Sequence, residues 1–247
     1  MIFLHGFLGS CANWHSIARR LESKYWVVVP DLRNHGRSPH AAEIGYQAMA
    51  SDVSALLDHL HAREAVLIGH SMGAKVAMWL ALDQPERVSR LVSVDMAPAT
   101  YPHRFENVIK AVLAVEATPV ESRAEADALM GTFLRNQRLR QYLLQNLVLE
   151  QGRWGWRFNR EGLLSRLEEV FGFPPPSSGR EFPGPSLFIY GTASDYVGQA
   201  QMPQILRLFP LARMRPIAGA GHWVYSDQTE GFLEALQGFL ASSSVGG

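Results

Sequence analysis

The stretch AVLIGHSMGAKVAMWLAL, residues 65–82, changes its period in the middle. Its first part is a short aliphatic run of strand length, and its last part, AKVAMWLAL, reads as a buried helix. Between them stands Gly-His-Ser-Met-Gly, with Ser71 flanked by Gly69 and Gly73. A serine at a sharp strand-to-helix turn takes strained dihedrals, and side chains at the flanking positions would collide with neighbouring backbone, so both glycines have a steric reason to be there. The same turn lifts the Ser71 hydroxyl above the C-terminal edge of a sheet. It also aims the Met72 backbone N–H, at the start of a helix, toward the same point.

A serine hydroxyl is a poor nucleophile until a neighbouring base takes its proton. In a strand–nucleophile–helix arrangement that base follows the serine in the chain. Of nine histidines only His103 and His222 do so. His103 opens a helical segment, whereas His222 sits in GAGHW, a glycine-rich loop after the last expected strand. His222 is therefore the expected base. A second oxyanion donor is needed beside Met72, and the Phe7 N–H of Leu4-His5-Gly6-Phe7, after the first strand, is the candidate. The run from Asp31 to Ser38, DLRNHGRS, reads as turn chemistry whose polar groups lock a loop.

Outward from the turn, strands and helices alternate. Residues 2–4 and 26–29 are expected strands with a helix over 12–21 between them. Tyr46, Met49, Val53, Leu56, Leu57 and Leu60 mark a helix, and 91–94 follows as a strand. Such alternation implies a mostly parallel sheet flanked by helices, an α/β fold. The rhythm then breaks, and residues 98–173 read as a helical insertion that caps the sheet. The proline-rich connector 174–185 leads back to strands at 187–190 and 213–217 and helices near 202–209 and 229–240. The expected division is a core of 1–97 plus 174–241, a cap of 98–173, and a disordered tail of 242–247.

Composition excludes several classes. The chain has 247 residues, 47% hydrophobic, enough for one sizeable core. Lys+Arg and Asp+Glu are equal at 23 each, so there is no basic footprint for nucleic acid. No run is long and apolar enough for stable membrane insertion. The single cysteine, Cys11, permits no internal disulfide and fits a reducing, cytoplasmic setting. MIFLHGF has no basic region or cleavage site, so no signal peptide is expected. Neither an H-E-x-x-H motif nor a Cys/His cluster is present, and neither a metal nor a cofactor is expected.

The segments FLHGFLGS, DLRNHGRSPH, GHSMGAKVAMWLAL, VDMAP and AGAGHWVYSD resemble the α/β-hydrolase superfamily. More narrowly they are similar to the abhydrolase-domain-containing protein 11 group and its small bacterial esterase relatives, and GRWGWRFNREGL at 152–163 is similar to that group's cap segment. The resemblance implies a cofactor-free serine carboxylesterase acting on acyl esters, with thioesters and lipid esters within its range. Members carry a β-hairpin before the strand ending in His-Gly, and here Met1 already lies inside that strand. Without the hairpin the strand 26–29 becomes an exposed edge, so weak self-association is expected. If residues preceded Met1 in a eukaryotic parent, a mitochondrial setting would be the alternative.

Two carboxylates are candidates to orient His222. Asp195 follows the strand 187–190, where the superfamily often puts its acid a fixed short step past a glycine. From Gly191 that step lands on Ser194, one residue before Asp195. Asp95 ends the strand 91–94 directly, and VDMAP matches the strand end where the resembled group carries its acid. Asp95 is favoured and Asp195 is the alternative. Trp156, Tyr196 and Trp223 are the expected walls of the acyl pocket. A cofactor-free perhydrolase on the same triad and a non-catalytic ligand-binding member of the fold are the rival functions.

Overall fold

A computed structural model describes residues 1–102, 105–174 and 180–242. His103, part of the connector and the tail beyond 242 lie outside the described residues. In chain order the elements are β1 (Ile2–Leu4), α1 (His15–Leu21), α2 (Tyr46–His59), β2 (Ala65–His70), α3 (Met72–Asp83) and β3 (Val88–Val94). Then come α4 (Glu106–Ala117), α5 (Arg123–Gly131), α6 (Gln137–Leu144), β4 (Leu147–Glu150), β5 (Arg153–Trp156), α7 (Arg160–Leu164) and α8 (Leu167–Phe171). The chain returns through β6 (Ser186–Gly191), α9 (Met202–Leu208), β7 (Ala212–Ile217), α10 (Val224–Asp227) and α11 (Thr229–Ala241).

The main sheet has the order β1-β2-β3-β6-β7, every pairing parallel. Because side chains alternate across a strand, each strand feeds two cores. Ile2, Leu4, Leu67, Leu91 and Phe188 face α2, α3 and α9. Phe3, Ile68, Val92, Val94, Leu187 and Ile189 face α1 and α11 on the other side. Burial on both faces is why β1, β2 and β6 read as near-continuous apolar runs rather than alternating ones, whereas the edge strand β7 exposes Arg213 and Arg215. None of the helices in the described residues is long and apolar enough to cross a membrane.

Two expectations need correction. Residues 26–29 do not form a full strand. Only Val28 bridges to Ile2, with Val28 N–H donating to the Met1 carbonyl and Phe3 N–H to the Val28 carbonyl, each at 2.9 Å. The β-branched run favours extended backbone, but three-residue β1 offers too short a ladder to pair with all of it. The insertion is also not wholly helical, since β4 and β5 form an antiparallel hairpin. Its turn residues Gln151 and Gly152 have φ of 50° and 77°. Both central residues of a tight hairpin turn of this kind need positive φ, which Asn-Gly signals strongly and Gln-Gly only weakly.

The inserted segment meets the rest of the chain at loops beyond the C-terminal strand ends. Tyr142 Oη donates to the Phe7 carbonyl at 3.1 Å and Asn146 Nδ2 to the Leu8 carbonyl at 2.9 Å. Asn159 N–H donates to the Asn34 carbonyl at 2.8 Å, and its side-chain amide reaches Asn34 Oδ1 at 2.9 Å. These bonds cover the edge where β2 ends in the serine turn.

Candidate active site

Ser71 has φ 53° and ψ −119°, the strained conformation expected of a side chain thrust out of a strand-to-helix turn. The turn is as tight as the glycines imply. A Cβ on Gly69 would lie 2.2 Å from the Gly73 carbonyl oxygen, and one on Gly73 would lie 2.4 Å from that of Leu4. The Ser71 N–H donates to the Val94 carbonyl at 3.2 Å, so the turn is tied to the neighbouring strand end.

That same strand end carries Asp95, which is 0% exposed on its side chain. Its carboxylate accepts from three groups: Gly191 N–H at 3.1 Å, Ser194 Oγ–H at 2.5 Å and His222 Nδ1–H at 2.7 Å. The last bond fixes the His222 tautomer and leaves Nε2 free to act as a base. The loop that holds His222 is fastened at both of its faces. Gly221 N–H donates to Asp227 Oδ2 at 2.8 Å, and His70 Nε2–H donates to the His222 carbonyl at 2.9 Å. The Tyr196 ring stacks on the imidazole with centroids 4.2 Å apart. Asp195 is exposed and makes no hydrogen bond or ion pair among the described residues. Of the two acids weighed from sequence, Asp95 is the one brought to His222.

Ser71 and His222 line one cavity of about 210 Å³. Phe7 and Met72 line it too, and neither backbone N–H has a protein acceptor among the described residues. Two buried histidines set the loop that carries Phe7. His5 Nδ1–H donates to the Gly6 carbonyl at 2.9 Å while Nε2 accepts from Leu32 N–H at 3.0 Å. His35 Nδ1–H donates to the Arg33 carbonyl at 2.9 Å while Nε2 accepts from Leu8 N–H at 3.1 Å. Each ring must stay neutral to accept that bond. Burial lowers the pKa of both, that of His35 to about 3 with the neighbouring His5 adding to the effect. The expected loop lock is present as well: Asp31 accepts from Cys11 N–H at 2.7 Å and Arg37 N–H at 2.9 Å.

Of the three residues expected to wall an acyl pocket, Tyr196 and Trp223 line this cavity and Trp156 does not. Its indole N–H donates to the Val112 carbonyl at 3.0 Å and its ring stacks on Phe158, so it holds the hairpin against α4. The inserted segment instead contributes Phe105, Leu139, Tyr142, Leu143, Val170 and Phe171. Lys75, Ser194 and His70 were given no role from sequence. The strongest signal among them was Lys75, a charge inside the otherwise apolar helix of the serine turn. Among the described residues no group of three His, Cys, Asp or Glu side chains is disposed to hold a metal ion.

Comparison with known proteins identifies the family and the fold. The model of the family described as alpha/beta hydrolase fold matches residues 1–229. The sn-1-specific diacylglycerol lipase ABHD11 of Danio rerio is 40% identical over 97% of this chain and 78% of its own length. Esterase YbfF of Escherichia coli is 34% identical over 97% of this chain and 92% of its own. The solved structure of a marine microorganism esterase superposes with a TM-score of 0.90 at 33% identity, covering 96% of this chain and 94% of that one. By sequence, by fold and by the geometry around its serine turn, the chain belongs to the alpha/beta hydrolase fold family.

Proposed function

We propose that this enzyme, a serine carboxylic ester hydrolase, works through a Ser71–His222–Asp95 triad and an acyl-enzyme. The observation that carries the reading is the His222 Nδ1–Asp95 Oδ2 bond of 2.7 Å at a cavity that Ser71 and His222 both line. His222 Nε2 takes the Ser71 proton as Oγ attacks the ester carbonyl, and Asp95 stabilises the imidazolium that forms. The Phe7 and Met72 amides receive the oxyanion, each worth about 3 kcal/mol of transition-state stabilisation in sites of this type. His222 then protonates the leaving alcohol, and in the second half it activates water to release the acid.

The segment 98–173 acts as a cap over a core of 1–97 and 174–241. Its bonds to the Phe7, Leu8 and Asn34 carbonyls support this, as does its share of the cavity wall. The apolar side chains it supplies suit an acyl chain. Lipid esters and thioesters fall within that chemistry, and the lipase name carried by relatives at 40% identity favours the former.

A fluorophosphonate probe and a panel of 4-nitrophenyl esters test the reading. The probe labels Ser71 and labelling is lost in Ser71→Ala. That variant keeps its circular dichroism and loses ester turnover by several orders of magnitude. Labelling or near-wild-type turnover in Ser71→Ala would end the proposal.

A further inference from the structure

Lys75 lies one helical turn beyond Ser71 in α3, its N–H donating to the Ser71 carbonyl at 3.3 Å. Helical side chains lean toward the N-terminus, so Lys75 reaches back toward the cavity, which it lines although it is only 1% exposed. Its ammonium donates to the Phe171 carbonyl at 2.9 Å and the Gly172 carbonyl at 2.8 Å. It also stands 5.0 Å from the Tyr101 ring centroid and 5.8 Å from that of Tyr46. No carboxylate pairs with it among the described residues.

A cation taken out of water without a counter-ion is costly. Two carbonyls and two ring faces compensate in part, yet an ammonium has three donors and one remains without an acceptor among the described residues. The helix has no need of a charge here, because its neighbours Val76, Met78, Trp79 and Leu80 are all buried and apolar or nearly so. The unmatched charge borders the cavity that Ser71 and His222 also line. We propose that the Lys75 ammonium receives a carboxylate at the far end of the acyl chain, so that preferred substrates are monoesters of dicarboxylic acids. This rests on the serine-esterase reading, with the ester carbonyl at Ser71 and the methylenes between Phe105, Leu143 and Phe171.

The surroundings set the pH dependence. Burial pulls the Lys75 ammonium down to about 7 from the usual 10.5. Tyr46 from α2 and Tyr101 from the loop after β3 are the titratable groups against it, and burial raises both. His70 and His222 stand elsewhere around the cavity, Asp95 is bonded to His222 and does not line it, and α8 offers a backbone carbonyl while its Glu168 and Glu169 are exposed. In the free enzyme the cation is therefore present below neutrality and lost as pH rises through that value. KM for a carboxylated chain should climb over this range while KM for a neutral chain stays flat.

The test compares mono-4-nitrophenyl adipate, pimelate and suberate with 4-nitrophenyl hexanoate, heptanoate and octanoate. These dicarboxylates are long enough that the free acid does not reach back onto its own ester. The methyl esters of the three carboxylated substrates serve as uncharged controls. Wild type should favour the carboxylated chain of at least one length by about tenfold or more in kcat/KM, a charge-assisted hydrogen bond being worth at least that. Lys75→Met should collapse that ratio, and the methyl-capped substrate should behave as a neutral one. A wild-type enzyme without the preference, a capped substrate as good as the free acid, or a parallel loss on both series in Lys75→Met would each overturn the proposal. If Lys75→Met does not fold, the wild-type panel and its KM–pH profile decide alone. Failure of every ester, with no fluorophosphonate labelling, would instead refute the serine-esterase reading beneath it.

Discussion

The His70 imidazole donates its Nε2 proton to the backbone carbonyl of His222 across 2.9 Å, and the two rings lie 4.6 Å apart between centroids. The residue before Ser71 thus holds the loop of the proposed base, His222. His70 Nδ1 has no partner among the described residues. Burial and the neighbouring His222 push its pKa well below the ordinary value, so it stays a neutral donor. His70→Leu leaves a buried carbonyl without its donor, which costs about 1–3 kcal/mol. The loosened loop should lower kcat by about tenfold to a hundredfold with little change in KM. Urea unfolding and steady-state kinetics measure the two effects, and an unchanged kcat would show that His70 does not position the base.

Asp95 and Asp195 separate cleanly by mutation. Asp95 is buried and takes three hydrogen bonds, whereas Asp195 is exposed with none among the described residues. Asp95→Asn should cut kcat by about 10⁴-fold, because the amide no longer holds the right imidazole tautomer. Asp195→Asn should stay within about twofold, as surface changes away from such features do. Ser194→Ala removes one of the three donors to the Asp95 carboxylate and should cost about tenfold. The reverse ranking of the two aspartates would transfer the acid to Asp195.

The serine turn was legible because its constraints are local. Gly69 and Gly73 touch backbone within a few residues or on the adjoining strand, so residue type alone reports the geometry. Chain order leaves His103 and His222, and the glycine-rich loop GAGHW favours His222. Asp95 and Asp195 both follow strands, and the count from Gly191 together with the resemblance of VDMAP to the group's acid-bearing strand end favours Asp95. The cavity wall was not legible in the same way. Trp156 and Tyr142 both lie in the insertion, but which of them faces Ser71 depends on how α6 and the β4–β5 hairpin pack onto distant loops. Ser194 carries no such signal, since nothing local says that its hydroxyl meets a carboxylate on another strand. The role of Lys75 is hidden in the sequence for a related reason. In sequence it is one charge in an apolar helix, and only the fold reveals that its acceptors are carbonyls at the far end of the insertion.

The outer edge beside β1 should support association between copies. Trp26 is 66% exposed, and the segment around it is joined to β1 by a single bridge. The Val27 and Val29 amides find no backbone acceptor among the described residues. An apolar, half-paired edge of this kind invites strand addition. Sedimentation should show concentration-dependent association that Trp26→Lys suppresses. An ideal monomer at high concentration would remove the expectation.

Acid should destabilise this protein before its carboxylates titrate. His5, His35 and His70 are buried in neutral form, and burial is the leading cause of the lowered pKa of each. An unfolded histidine takes up a proton near pH 6.5, while native His35 does so only at about 3. Across that window the unfolded chain binds the extra proton, so native stability falls as pH falls, by about 1.4 kcal/mol per pH unit for His35, with His5 and His70 acting in the same direction. Asp31 acts later. Burial raises its pKa, but the N–H groups of Arg37 and Cys11 outweigh that and hold it below the ordinary 3.8, so its contribution is lost only at lower pH. A decline in Tm that sets in near pH 6.5 is therefore the histidine signature. His35→Asn should be less stable at neutral pH, because Leu8 N–H loses its acceptor, yet its stability should fall less steeply in acid by about one proton's worth. A Tm that stays level from pH 7 down to the carboxylate range, or an acid limb in His35→Asn as steep as that of wild type, would mean that these rings titrate freely in the folded protein.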